Sequence, residues 1–204
     1  MCYSAESSGG TFLFVCAVCS ILALQGKIAI ALILLVTASM QLIEYVIWKE
    51  THKPTCTTAN YIASSLIPII LGLQPLIISL IVMLFNVGYL PNIVYLLIFV
   101  CSIFISAYTI LHVLRNPRKG CVKPEGEGRL QWDIDWWIYD TFVIPYYISM
   151  LVLFLTLKPY ILGTSLFAFY LTTRVYTGYR YPGQWPSVWC HTVNAGSILA
   201  LLVG

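Results

Sequence analysis

The sequence predicts an all-α, polytopic membrane bundle of seven transmembrane helices, with its amino terminus inside and its carboxyl terminus outside. Three observations carry that expectation: the bulk composition, a succession of long apolar runs, and the distribution of basic residues among the gaps between them. Hydrophobic residues make up 59% of the 204 and charged residues 9%, with a mean hydropathy of +0.85. A soluble domain carries about 25% charged residues, so this chain lacks the polar groups to cover a water-facing surface. Its net charge of +3 is small and scattered, which argues against a nucleic-acid partner and leaves the lipid bilayer as the expected one. A single domain, residues 1–204, accommodates such a bundle.

Each crossing needs about 20 mostly apolar residues. Read in order, the runs fall at residues 11–25, 28–48, 61–86, 93–114, 136–157, 161–175 and 186–204. The first and sixth are short for a full crossing, so five or six passes with a re-entrant segment is the competing count. Ten-residue alternation is absent, which argues against a barrel, and no internal repeat stands out. Gly26-Lys27 and Lys158-Pro159 mark tight turns, and Gly88 with Pro91 closes the third segment onto the fourth. The longer connections, residues 49–60, 115–135 and 176–185, then share the amino-terminal side. That side carries nine basic residues, Lys49, Lys53, Arg115, Arg118, Lys119, Lys123, Arg129, Arg174 and Arg180, against two, Lys27 and Lys158, on the other. Because the Lys and Arg excess belongs on the cytoplasmic face, the amino terminus is expected inside. Residues 1–10 lack a basic region and a cleavage signature, so no secretory signal peptide is expected.

Seven cysteines, an odd number, read as free thiols: Cys2, Cys56, Cys121 and Cys190 at the cytoplasmic end, and Cys16, Cys19 and Cys101 within apolar helices. Trp48, Trp132, Trp136, Trp137 and Trp185 gather near the same end and are expected to anchor it at headgroup level. Pro68, Pro75 and Pro145 fall inside predicted spans and are expected to kink them.

Polar residues at membrane depth are the best pointers to a site. A carboxylate at the bilayer centre costs about 2.5–3.5 kcal/mol on insertion scales, so Glu44, inside the apolar run 28–48, is expected to face a polar interior. Gln41, Glu44 and Trp48 share one stripe of the second helix; Cys190, Asn194 and Ser197 share one on the seventh. Asp140 lies one turn into the fifth helix, Arg174 near the inner end of the sixth with Tyr170 one turn before it, His112 closes the fourth and His191 opens the seventh. All of them fall at the inner end.

Three patches carry a resemblance: Met1-Cys2-Tyr3-Ser4-Ala5-Glu6, Gln41-Leu42-Ile43-Glu44-Tyr45-Val46-Ile47-Trp48, and Ser187-Val188-Trp189-Cys190. They resemble a family of small multi-pass membrane proteins of bacteria and large DNA viruses that begin Met-Cys-Phe-Ser-Ala. The chain departs from that pattern in having Tyr3 where Phe is usual and Tyr45 where Gly often follows the Glu. The resemblance brings no activity with it. It implies that Cys2, Ser4, Gln41, Glu44 and Cys190 act together.

The leading functional reading is binding or transport of a small molecule or ion, with Cys2, Ser4, Gln41, Glu44, Asp140, Arg174, Cys190, His191 and Asn194 as candidate ligand-binding residues. The alternative is a thiol- or metal-dependent membrane enzyme, with Cys2 as nucleophile or with Cys2, Glu44, Cys190 and His191 around zinc, copper or iron. Adjacent residues point about 100° apart on a helix, so Cys190 and His191 would bind one metal under strain. A third reading is a structural membrane component in which Glu44 or Asp140 pairs with Arg174 and Gln41 and Asn194 join helices. No cofactor is specified by any motif, and a retinal Schiff base is excluded because the last helix contains no lysine.

Overall fold

The computed structural model describes residues 4–53, 55–116, 121–125, 129–130, 144–180 and 189–203. Among them the chain forms seven helices: α1 Ala5–Leu24, α2 Ile28–Glu50, α3 Thr58–Phe85, α4 Asn92–Arg115, α5 Ile144–Leu155, α6 Tyr160–Arg180 and α7 Trp189–Val203. A minimal antiparallel ladder joins β1 Pro124–Glu125 to β2 Arg129–Leu130 between α4 and α5. The fold is all-α, as expected.

Helix ends follow local chemistry. Ser4 caps α1 by accepting a hydrogen bond from the Ser7 N–H at 3.2 Å, and Glu6 sits in the first turn where a negative charge suits the dipole. Thr57 caps α3 in the same way, accepting from the Asn60 N–H at 3.2 Å. Consequently α1 and α3 begin at Ala5 and Thr58, before the apolar runs that suggested residues 11 and 61. At its other end α1 stops on Gly26, which takes φ +77°. The Lys27 N–H then reaches Leu22 O at 2.8 Å and the Gly26 N–H reaches Ala23 O at 3.0 Å. Asn86, at φ 50°, ends α3 with the same pair of bonds.

α1, α2, α3 and α4 run back and forth as sequential neighbours. α5 packs on α3 and α4, α6 on α5, and α7 on α6 before returning to α1 and α2. α2 and α3 are the central pair. α3 contains Pro68 and Pro75, and Pro75 leaves the Leu71 carbonyl without its helical donor; beside it Ser106 of α4 donates to Gly72 O at 2.9 Å.

The turns α3–α4 and α5–α6 meet at one end of the bundle. The Tyr89 N–H donates to Thr156 O and the Lys158 N–H to Val87 O, both at 2.8 Å, while the fully buried Tyr95 accepts from the Leu90 N–H at 3.1 Å. A β-carbon on Gly88 would collide with the Tyr95 ring, so glycine is required at that closure.

Among the described residues, four helices, α1 to α4, are long and apolar enough to cross a membrane. Their outer faces are correspondingly greasy: Leu13, Phe14 and Ile21 on α1, and Leu96, Leu97, Val100, Ile103 and Phe104 on α4, are exposed. Apolar faces of that extent belong in hydrocarbon.

Three expectations need correction. Cys56 and Cys121 are not free thiols but a disulfide, their Cα atoms 5.5 Å apart, because residues 121–122 fold back onto the start of α3. The first segment is not short: α1 has 20 residues, since its polar first turns escape a hydropathy reading, whereas the apolar part of α6 is short as expected, Tyr160–Thr172. Trp48 is not an interfacial anchor; it is buried at 6% exposure against Ala5, Ile47 and Ala63. Trp132, Trp136, Trp137 and Trp185 lie outside the described residues.

Candidate functional site: a polar layer shared by α1, α2 and α7

The buried stripe of α1 runs through Ala5, Ser8, Thr11, Val15 and Val18, so its first two turns present hydroxyls where the rest presents methyl groups. α1 and α2 approach closely at this height: a β-carbon on Gly9 would stand 3.0 Å from the Tyr45 ring. Ser8 and Glu44, each one residue before those two on antiparallel helices, therefore lie within about 3 Å of one height. Both are buried, at 0% and 1% exposure. One turn deeper on each helix lie Thr11 and Gln41, also buried. α7 joins at that depth, where Asn194 donates through Nδ2 to Thr11 Oγ1 at 3.1 Å. Ser197, fully buried, follows one turn on and donates to Val193 O at 2.8 Å.

Two groups in this layer lack a hydrogen-bond partner among the described residues, Ser8 Oγ and Asn194 Oδ1. Both are sealed from solvent. An unmatched oxygen in such a place costs about 1–3 kcal/mol unless something supplies a donor. The layer thus sets the Glu44 carboxylate, which accepts, among the Gln41 and Asn194 amides and the Ser8 and Thr11 hydroxyls, which both donate and accept, on three helices.

The candidate residues from the sequence divide accordingly. Gln41, Glu44 and Asn194 share the layer. Ser4 belongs to the α1 cap, which accounts for its place in the opening motif. Cys2 and Asp140 lie outside the described residues; Arg174 falls on α6, and Cys190 and His191 open α7, with their side chains outside what is described. His112 is partly exposed on the last turn of α4, beside Asn116. No three His, Cys, Asp or Glu side chains among the described residues gather as a metal set.

Sequence reasoning missed Ser8 and Thr11, since the first span was drawn from residue 11. The available signal was their spacing with Ala5 and Val15 on one helical face. It also missed a small core at the loop end. Val122 and Leu130 are buried at 1% and 0% exposure in a small core with Ala5, Met40, Ile47, Trp48, Ala63 and Ile67. A closed circuit holds the hairpin there: the Val122 N–H donates to Ser64 Oγ at 3.2 Å, Ser64 Oγ to Asn60 Oδ1 at 2.8 Å, and Asn60 Nδ2 to Val122 O at 3.0 Å.

A second polar joint lies deeper and binds helices together. Gln74 donates to Val36 O at 3.2 Å and accepts from the Tyr146 hydroxyl at 2.8 Å, linking α2, α3 and α5. A groove of about 250 Å³ beside it, lined by Leu35, Val36, Ser39, Ile70, Leu73, Gln74 and Ile77, is apolar and separate from the Glu44 layer. No protein-family model, curated protein or solved structure matches the chain.

Proposed function

We propose that the chain is a seven-pass membrane protein, amino terminus on the cytoplasmic side, that binds a small molecule or ion in the layer between α1, α2 and α7, with transport as the extension of that binding. The count is supported by helices that reverse direction at every tight turn, and the orientation by nine basic residues against two. The binding reading is carried by the two orphaned oxygens, Ser8 Oγ and Asn194 Oδ1, set on helices that flank Glu44. A ligand that donates hydrogen bonds or bears positive charge satisfies both and meets the carboxylate at the same depth. An anion would meet the Glu44 carboxylate and the Asn194 amide oxygen at that depth. The ligand class is therefore a small cation or an amine.

Thermal unfolding of the purified protein in detergent tests this reading, with sodium, potassium, ammonium and ethanolamine as probes and choline holding ionic strength constant. A ligand at about 100 times its Kd adds about 2.7 kcal/mol to the folded state, enough to read as a clear rise in Tm. The expected result is a rise with at least one probe that Glu44→Gln abolishes and Cys2→Ser retains. No rise with any probe, or a rise that Glu44→Gln leaves intact, contradicts the proposal. A rise lost in Cys2→Ser and kept in Glu44→Gln moves the assignment to the thiol or metal reading.

A further inference from the structure

Cys56 immediately precedes Thr57, the N-cap of the 28-residue α3, and it is exposed, whereas its disulfide partner Cys121 is half-buried. One sulfur is thus open to attack and the other is shielded. Released as a thiolate, Cys56 would stand at the amino end of a long helix, where backbone N–H groups and the dipole favour negative charge on sulfur. Cys121 Sγ lies 3.7 Å from Thr57 O, a carbonyl that can accept from its thiol once the bond is cut. The two thiols also stay apposed without the bond. Val122, next to Cys121, is buried at 1% exposure; its N–H donates to Ser64 Oγ at 3.2 Å and its carbonyl accepts from Asn60 Nδ2 at 3.0 Å. Asn60 and Ser64 belong to the first two turns of α3, so the helix that carries Cys56 at its start also grips the neighbour of Cys121. Partners held in this way re-form their bond as an intramolecular step.

We propose that Cys56 and Cys121 form a thiol–disulfide exchange site whose substrate class is a dithiol: Cys56 takes the substrate sulfur in a mixed disulfide, and Cys121 is the shielded resolving partner. The inference goes beyond the cation reading and rests only on the cytoplasmic placement of this end. In a reducing compartment lasting disulfides are rare, and those that occur are mostly transient and catalytic or sensing. The exchange balances. A substrate thiolate attacks Cys56 Sγ, the bond to Cys121 breaks, and Cys121 leaves as a thiolate and takes up a proton. The second substrate thiolate then attacks the substrate sulfur of the mixed disulfide and releases Cys56. Two electrons and two protons pass to the pair, and the substrate leaves as its own disulfide. A small-molecule disulfide of the glutathione class resets the site: Cys56 attacks it and one thiol leaves, then Cys121 attacks Cys56 Sγ and the second thiol leaves.

The full chain in lipid nanodiscs tests the site with glutathione as the probe. After equilibration in graded mixtures of reduced and oxidised glutathione, iodoacetamide traps free thiols and peptide mass spectrometry reads Cys56 and Cys121. The pair should pass from oxidised to reduced across the series, and a trace of the protein should speed the oxidation of a two-cysteine peptide by glutathione disulfide. Cys121→Ser, which cannot resolve the adduct, should hold glutathione on Cys56 about tenfold more than Cys56→Ser holds it on Cys121, the margin that access and thiolate character give together. If either variant fails to fold, the titration and turnover of the native protein decide. A pair that stays oxidised in excess reduced glutathione while dithiothreitol reduces it is a permanent staple and overturns the site. So does an adduct that prefers Cys121, or a peptide oxidised no faster with the protein than without it. Placement is read separately, by labelling Lys53→Cys in cells with an impermeant maleimide. Exchange together with external labelling upholds the site and sinks the cytoplasmic placement; cytoplasmic labelling without exchange sinks the site and keeps the placement.

Discussion

Ser64 accepts from the Val122 N–H and donates to Asn60, so deleting its hydroxyl leaves a buried backbone donor and a buried amide oxygen unmatched. Ser64→Ala should therefore destabilise the protein by about 1–3 kcal/mol, measured by thermal or denaturant unfolding in detergent. Asn60→Ala should cost a similar amount. The double variant should cost clearly less than the sum, because either change alone breaks the circuit; strict additivity would show that the three groups do not act as a unit. At this scale the sequence was legible where a residue is anomalous whatever it touches. Gln41, Glu44 and Asn194 stand out in apolar runs, and all three lie in the layer. Ser8, Asn60 and Ser64 did not stand out, since small polar residues are common in membrane helices and their meaning comes from partners far along the chain. Val122 lies 58 residues from Ser64, and no local pattern announces that pairing.

At the scale of elements, hydropathy located every described helix and misplaced several ends. A run of apolar residues reports the hydrocarbon-facing middle, whereas caps are written in single polar side chains such as Ser4 and Thr57. The α4–α5 connection was the larger omission. It reads as a charged loop, and its fold-back depends on Val122 and Leu130 finding a pocket made by α2 and α3. The disulfide was missed for the same reason: spacing says nothing about two cysteines that only the fold-back brings together. The α5–α6 hairpin offers an element-level prediction. A β-carbon on Gly163 would run into the Phe154 carbonyl, and backbone cannot yield as a side chain does. Gly163→Ala should cost about 1–3 kcal/mol in the same unfolding assay. Gly196→Ala meets the tip of the Leu166 side chain, which can turn away, and should cost less. Equal costs would argue that α5 and α6 do not pack as described.

The whole molecule is a bundle whose two ends differ in kind. One end is closed by short turns clipped to each other through Tyr89, Tyr95 and Thr156; the other carries the long connections and the hairpin. The proposed seven passes would put Lys53 and Lys158 on opposite sides. With single cysteines at those positions, Lys53→Cys should label only from the cytoplasm and Lys158→Cys only from outside; labelling from one common side would overturn the count. The claim on which most depends is that α7 returns to α1 and brings Asn194 to the hydroxyls beside Glu44. Thr11→Cys and Asn194→Cys, in a chain whose Cys2, Cys16, Cys19, Cys101 and Cys190 are replaced by serine or alanine, test it directly. Treated in native membranes with a short bifunctional thiol reagent, the pair should cross-link within one chain, and Leu13→Cys, on the exposed face of α1, should not link to Asn194→Cys. Cross-linking at Leu13 in preference to Thr11, or at neither, would contradict the shared layer.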